Sequence, residues 1–476
     1  MSVGFIRKAG LAALLSGALA PALATTALTP AAAEDGLVPS AQITLPTKIT
    51  SFDISFVDPA LNIYILGDRT GNAVDVIDTT TNTLILQAGK GLFTGATGNN
   101  DTSGPDGVLI VNHREIWAGD GDSTMKVLSL STGQLLATIS TGGAHRVDEM
   151  CHDPVHGIVL AANNAEDPFP FVTFFTVRGH AAVKKIVFDG TNNTPKATNG
   201  IEQCQWSPRT GLFYITVPEV NGPGQGPPNA NQKPGGVAVL DPVSMTVLTT
   251  YTFPGTDPGQ TASTAFDLNN CSGPQGMAVG PAPQILIGCN GGKFQAADRP
   301  TVIINENNGS LFARVPFQSG PDMVDFSSAN GGHYTLARSN NNPPYGAAPS
   351  SCAANNITAG PQVIGVIDAN ENGSVDSDAD VPAGLFSCSA FNGGATPARG
   401  GNHSIASDPT QGKWFFPVAS TSGSTLCSSL GGSDAQGCIV VFTDPGAPSQ
   451  ECVAQGAPVV DRTAGRGSVP MMAPCP

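Results

Sequence analysis

The chain has 476 residues, of which only 12% are charged, with 57 glycines and 39 prolines. That composition suits short strands joined by tight turns and leaves little room for long helices. A net charge of −15 disfavours a nucleic-acid binder, whose phosphate contacts need Lys and Arg, and fits a soluble protein with a use for cations.

In chain order, Arg7 and Lys8 come first, then an apolar run from Ala9 to about Leu28, then Ala31-Ala32-Ala33 before Glu34-Asp35. This order predicts a secretory signal over 1–33, with Ala22-Leu23-Ala24 as a second cleavage option. Pro21 inside the run argues against a retained anchor. No other stretch could span a bilayer, so the mature chain is expected to be secreted or periplasmic, and monomeric.

Beyond the signal one β pattern recurs: a short strand, a turn, and a second strand at once. Phe52 to Pro59 leads into Asn62-Ile63-Tyr64-Ile65, and Pro105 to Asn112 into Glu115-Ile116-Trp117-Ala118. Val147 to Pro154 leads into Gly157-Ile158-Val159-Leu160, and Ile201 to Pro208 into Leu212-Phe213-Tyr214-Ile215. Pro274 to Pro281 leads into Gln284-Ile285-Leu286-Ile287, and Pro321 to Ser328 into His333-Tyr334-Thr335-Leu336. Asn402 to Pro409 leads into Lys413-Trp414-Phe415-Phe416. Copies roughly 40–80 residues apart predict the blades of a β-propeller, each a four-stranded sheet. The expected fold is all-β, a seven-bladed β-propeller over 34–446, with a tail over 447–476. The last blade shows Ile439-Val440-Val441-Phe442 but no fourth strand. Ala41-Gln42-Ile43-Thr44-Leu45 is expected to supply it and close the ring.

At this point the chain resembles the YVTN-type, NHL-like propeller superfamily. The residues that carry the resemblance are Val76-Ile77-Asp78-Thr79-Thr80-Thr81-Asn82-Thr83 and the turn Gly104-Pro105-Asp106-Gly107. It covers the mature chain to about Asp444 and implies the fold more than a function.

The register carries the functional reading. Six residues before the aligned turn position stand Asp53, Asp106, Asp148, Glu202, Gln275, Asp322 and His403. This position lies at one mouth of the channel. The second strands return to the same rim, where Asp68, Asp120, Asn163, Asn164, Glu219, Asn290 and Asn340 stand. Carboxylates facing one channel repel unless a cation or shared protons offset them. Asp53, Asp106, Glu202 and Asp322 are therefore expected to hold a divalent cation, with hard oxygen ligands favouring Ca²⁺. Gluconolactonase and regucalcin-like propellers are similar at Pro105-Asp106-Gly107, Pro321-Asp322 and Glu202, and that resemblance implies a metal held at this position.

Asp148, Glu149, His403 and His145 are the candidates for general acid–base work. Gln275, Asn163, Asn290 and Asn340 are expected to line the rim against a small-molecule substrate. Asp368 to Asp378 has the acidic spacing of a calcium loop, but Ala379 stands at the twelfth position and a strand hairpin is the favoured reading. Ten cysteines in an exported chain predict five disulfides. Cys151 and Cys204 have opposite parity in neighbouring blades and are expected to face each other. Cys271–Cys289, Cys352–Cys388, Cys427–Cys438 and Cys452–Cys475 are the other expected pairs. The function expected is a metal-dependent hydrolase of an ester or lactone-type molecule. A non-catalytic binding propeller and a metal-dependent lyase are the alternatives.

Overall fold

The computed structural model describes residues 37–223, 233–253, 271, 273–289, 301–315, 318–319, 322–329, 332–341, 363–368 and 403–443. The chain divides into two units, Met1–Ala33 and Glu34–Pro476. The first unit, the expected signal, lies outside the described residues.

The second unit is an all-β propeller. Its first strand, β1 (Val38–Ile43), precedes the repeats. Blade one is β2 (Ser55–Asp58), β3 (Ile63–Asp68), β4 (Ala73–Asp78) and β5 (Thr83–Ala88). Blade two is β6 (Val108–Val111), β7 (Glu115–Gly119), β8 (Thr124–Ser129) and β9 (Leu135–Ser140). Blade three is β10 (Met150–Asp153), β11 (Ile158–Asn163), β12 (Phe171–Thr176) and β13 (Ala181–Val187). Blade four is β14 (Cys204–Ser207), β15 (Leu212–Val217), β16 (Gly236–Asp241) and β17 (Thr246–Thr252). Blade five is β18 (Pro274–Val279), β19 (Gln284–Cys289), β20 (Thr301–Asn305) and β21 (Leu311–Val315). These five are plain antiparallel meanders.

The next sheet is less regular. Strands β22 (Gln318–Ser319) and β23 (Val324–Ser327) both pair with β24 (His333–Asn341), and β25 (Val363–Asp368) pairs with its other side. It therefore has three ranks among the described residues. The last sheet holds β26 (Ala406–Asp408), β27 (Lys413–Val418) and β28 (Cys438–Thr443), and β1 pairs with β28 as its outer strand. Six sheets thus carry four full ranks. The pairing segment starts three residues before the expected Ala41, and its register shifts between Pro39 and Ala41.

Apolar side chains fill the spaces between consecutive sheets, because each blade must bury both faces. Tyr64, Leu66, Phe415 and Val441 fill one layer between the last blade and the first. Leu160, Phe174, Phe213 and Leu240 fill another between blades three and four. Inner strands of successive sheets touch in turn, from β2 and β6 through β18 and β23 to β26 and β2. Such close approach needs small residues. A Cβ on Gly107 would stand 1.7 Å from the Asp148 carbonyl oxygen, so the blades meet only because that atom is missing. Gly107→Ala is therefore expected to cost about 1–3 kcal/mol, read as a lower urea midpoint.

Three disulfides lie among the described residues: Cys151–Cys204, Cys271–Cys289 and Cys427–Cys438. The first joins blades three and four, as the strand parity requires. The expected pairs Cys352–Cys388 and Cys452–Cys475 lie outside the described residues, as does the segment after Asp368 with the calcium-loop spacing. No helix among the described residues is long and apolar enough to cross a membrane.

Candidate active site

The mouth is built by the residue that leads into each inner strand. In five blades its backbone N–H donates to a carbonyl of the second strand or the residue just beyond it. Asp53 donates to Gly67 at 2.9 Å, Asp106 to Gly119 at 3.0 Å and Asp148 to Ala162 at 2.8 Å. Glu202 donates to Thr216 at 2.9 Å and Asp322 to Ala337 at 3.1 Å. One repeated backbone hydrogen bond therefore sets five carboxylates at one level.

Two buried arginines, neither prominent in the sequence, divide this set. Arg69 lies in the turn after β3. Its Nε is 2.5 Å from Asp106 Oδ1, its Nη1 donates to Asn100 Oδ1 at 2.8 Å, and its Nη2 pairs with Asp53 Oδ2. Arg146 enters from the loop before blade three. Its Nε and Nη2 contact Asp148 Oδ2 at 2.9 and 2.8 Å, and its Nε lies 3.7 Å from Asp106 Oδ2. Burial opposes both charges, but the surrounding carboxylates hold both guanidiniums firmly protonated.

The carboxylates respond unequally. Burial works against the Asp53 charge, yet Arg69 and the hydrogen bond to His403 hold its pKa well below the usual carboxylate range. Asp106 is pushed well up by burial; Arg69 opposes this, and Asp53 adds to it. Burial also raises Asp148 against the pull of Arg146. Glu149, next in the chain, is 6% exposed. Burial raises its pKa well above the usual range, and Asp148, Asp53, Glu202 and Asp322 each raise it further. Those charges come from four different sheets. Glu202 is raised in the same way, by burial and then by Asp148 and Asp322, with Arg146 opposing.

His403 closes the other side. Its Nε2 lies 2.8 Å from Asp53 Oδ1, and its ring stacks on Phe52 with centroids 5.0 Å apart. Its Nδ1 is buried without a hydrogen-bond partner. Asn164 donates from Nδ2 to Asp148 Oδ2 at 2.5 Å, and its own Oδ1 is buried without a partner. One residue along from Glu202, the Gln203 amide bonds to Met277 N at 2.7 Å and to Val324 O at 3.0 Å. That side chain ties blade four to blade five and to β23 of the next sheet.

The second tier of oxygen ligands does not converge on the channel as expected. Asp120 Oδ1 accepts from Thr94 N at 3.0 Å, and its Oδ2 pairs with Lys126. Asn163 donates to Ser123 Oγ at 2.9 Å and to the His145 carbonyl at 3.0 Å. Glu219 accepts from Thr198 Oγ1 at 2.5 Å and from Lys233 N at 2.9 Å. These side chains clasp the loops between blades, which cover the ends of the second strands. From this tier Asn164 bonds to a carboxylate of the first, Asp148. Asp68 is different again: its Oδ2 and that of Asp75 are both buried without partners. Burial raises Asp68 to about 6 against the hydrogen bond from Asp75, while burial and then the Asp68 charge raise Asp75 well above the usual range. Blade two has Lys126 at the register of Asp75, since Lys126 faces Ala118 where Asp75 faces Leu66.

Of the expected catalytic residues, Asp148, Glu149 and His403 belong to the mouth. His145 does not join them: its loop is held by Glu166, whose Oε1 accepts from His145 N at 2.7 Å and whose Oε2 lies 3.9 Å from Nδ1. Gln275 is half-buried, and its carbonyl accepts from Thr216 Oγ1 at 2.7 Å. Asn290 and the side chain of Asn340 lie outside the described residues. Two of the four expected calcium ligands are engaged by an arginine. Asp53 and Asp106 are bound to Arg69, and among the described residues no group of three or more His, Cys, Asp or Glu is placed to hold a metal ion.

No protein-family model matches the chain, and no curated protein matches it. Among solved structures it is similar to hydrazine synthase of Kuenenia stuttgartiensis. The identity is 15% over 60% of this chain and 80% of that one, with a TM-score of 0.45. It is also similar to U3-55K, at 9% identity over 85% of this chain and 100% of that one, with a TM-score of 0.49.

Proposed function

We propose that the channel mouth is an acid–base site that hydrolyses a small ester or lactone-type molecule. One observation carries this reading: Asp53 fixes one nitrogen of His403 at 2.8 Å, while the other nitrogen is buried and has no partner. An imidazole held in this way is oriented as a general base for water. Glu149 supplies the complementary group, because its raised pKa keeps a proton available for a leaving oxygen. Water attacks the carbonyl carbon as His403 Nδ1 takes its proton. The C–O bond breaks as Glu149 protonates the alkoxide, and solvent returns the proton from His403 to Glu149. The Arg69 and Arg146 ion pairs hold this frame.

The surrounding reading is a ring of seven blades, closed by β1 on β28 and related to YVTN-type, NHL-like propellers. The cyclic order of inner-strand contacts supports the ring. Export is supported by the disulfides and by the N-terminal pattern of basic, apolar and small residues.

His403→Ala and Glu149→Gln are each expected to lower kcat/KM by about 10²–10⁴-fold on an ester and lactone panel, with melting temperature retained. The parent's kcat/KM should fall at alkaline pH, with Glu149 setting that limb above the usual carboxylate range. A parent protein that turns over nothing on the panel overturns the hydrolase reading and favours a binding propeller.

A further inference from the structure

The two arginines contact one arc of the mouth. Asp53, Asp106 and Asp148 each contact a guanidinium. Glu149 and Glu202 are paired with no described Lys, Arg or His. Arg146 reaches Glu202 only through space. A second feature lies beside this arc. Asn164 is 7% exposed, and its Oδ1 is an acceptor with no donor. It belongs to the same corner as Glu202: a Cβ on Gly200 would stand 3.3 Å from the Asn164 backbone carbonyl oxygen and 3.8 Å from Glu202 Oε1, and Asp148, which holds the Asn164 amide, is the charge that raises Glu202 most after burial. Apart from the proton on the raised Glu202 carboxyl, the unpartnered groups of this corner are acceptors. A buried acceptor without a donor is costly, and a ligand that brings several N–H groups relieves that cost.

We propose that the substrate carries a cationic nitrogen head, an ammonium or guanidinium, which docks between the Glu202 carboxylate and the Asn164 amide oxygen. This deepens the hydrolase reading and rests on it: the head would anchor the molecule while His403 and Glu149 act on its ester bond. A small head suits the site, since Asp148, Glu149 and Asn164 are all less than a tenth exposed. The Arg146–Asp148 pair closes one side of this corner and fixes the Asn164 amide through its Nδ2. Entry of a positive head also draws the raised Glu202 carboxyl into its ionised form, so docking releases a proton.

The test compares methyl 6-aminohexanoate with methyl heptanoate, which differ only by an ammonium in place of a methyl group. The expected result is a kcat/KM ratio of about tenfold or more for the amino ester, falling to near one in Glu202→Gln. Hydrolysis of both esters at equal kcat/KM overturns the cationic head and leaves the hydrolase reading standing. If neither ester turns over, titration calorimetry with hexylammonium decides. Binding that weakens about tenfold in Glu202→Gln but persists in His403→Ala supports the head site and counts against the acid–base reading alone. No binding of hexylammonium, equal binding of hexanol, or calcium binding lost in Glu202→Gln with none of hexylammonium overturns the proposal.

Discussion

Arg69→Met should destabilise the protein by about 3–5 kcal/mol at neutral pH, because it leaves Asp53 and Asp106 buried without their counter-charge. Urea unfolding measures the loss. The deficit should depend on pH in a definite direction. Asp53 has a depressed folded pKa, so its contribution is present above the unfolded value of about 3.9 and is lost as pH falls through the lower folded value. The variant lacks the depression, so parent and variant should converge in strong acid. Arg69→Lys should rescue little, since one ammonium cannot reach Asp53, Asp106 and Asn100 as the guanidinium does. A deficit below about 1 kcal/mol at neutral pH would mean that another group takes over the two carboxylates.

Asp75→Asn should act in the opposite sense and stabilise the protein at pH 8. In the parent, Asp68 and Asp75 share a buried corner where one proton must serve two acids. A raised folded pKa means that stability is fully present below the unfolded value of about 3.9 and is lost as pH rises through about 6 for Asp68. Two pKa units correspond to roughly 2–3 kcal/mol. The amide supplies a permanent donor to Asp68, so the gain should reach that size at pH 8 and vanish near pH 4. Blade two already solves the same problem with Lys126 against Asp120. Equal urea midpoints for parent and variant at both pH values would show that the pair shares no proton.

The parts that could be read from the sequence were those that repeat. A carboxylate at a fixed distance before a turn in five of the seven copies places Asp53, Asp106, Asp148, Glu202 and Asp322 at one mouth, because each of these uses the same backbone hydrogen bond. The Cys151–Cys204 bridge was legible for a related reason: strand parity fixes which face each side chain takes. Arg69 and Arg146 could not be found this way. One lies in a turn and the other in an inter-blade loop, neither has a counterpart in other blades, and long side chains reach past their own register. Without them the carboxylates read as one uncompensated acidic ring. The second tier failed because register locates a residue but not the loop above it. Asn163 and Glu219 have the right position and bond to the neighbouring connection instead.

The pairing of β1 with β28 also sets the order of assembly. Ser40 Oγ donates to the Val441 carbonyl at 3.1 Å across 401 residues of chain. Bringing such distant segments together costs on the order of 5 kcal/mol in loop-closure entropy if nothing between them is folded. Most of that cost disappears once the intervening blades have formed and carry the two segments to the same edge. The strand synthesised first is thus the last to find its place. Until then its edge, and that of β28, are open to any other extended chain.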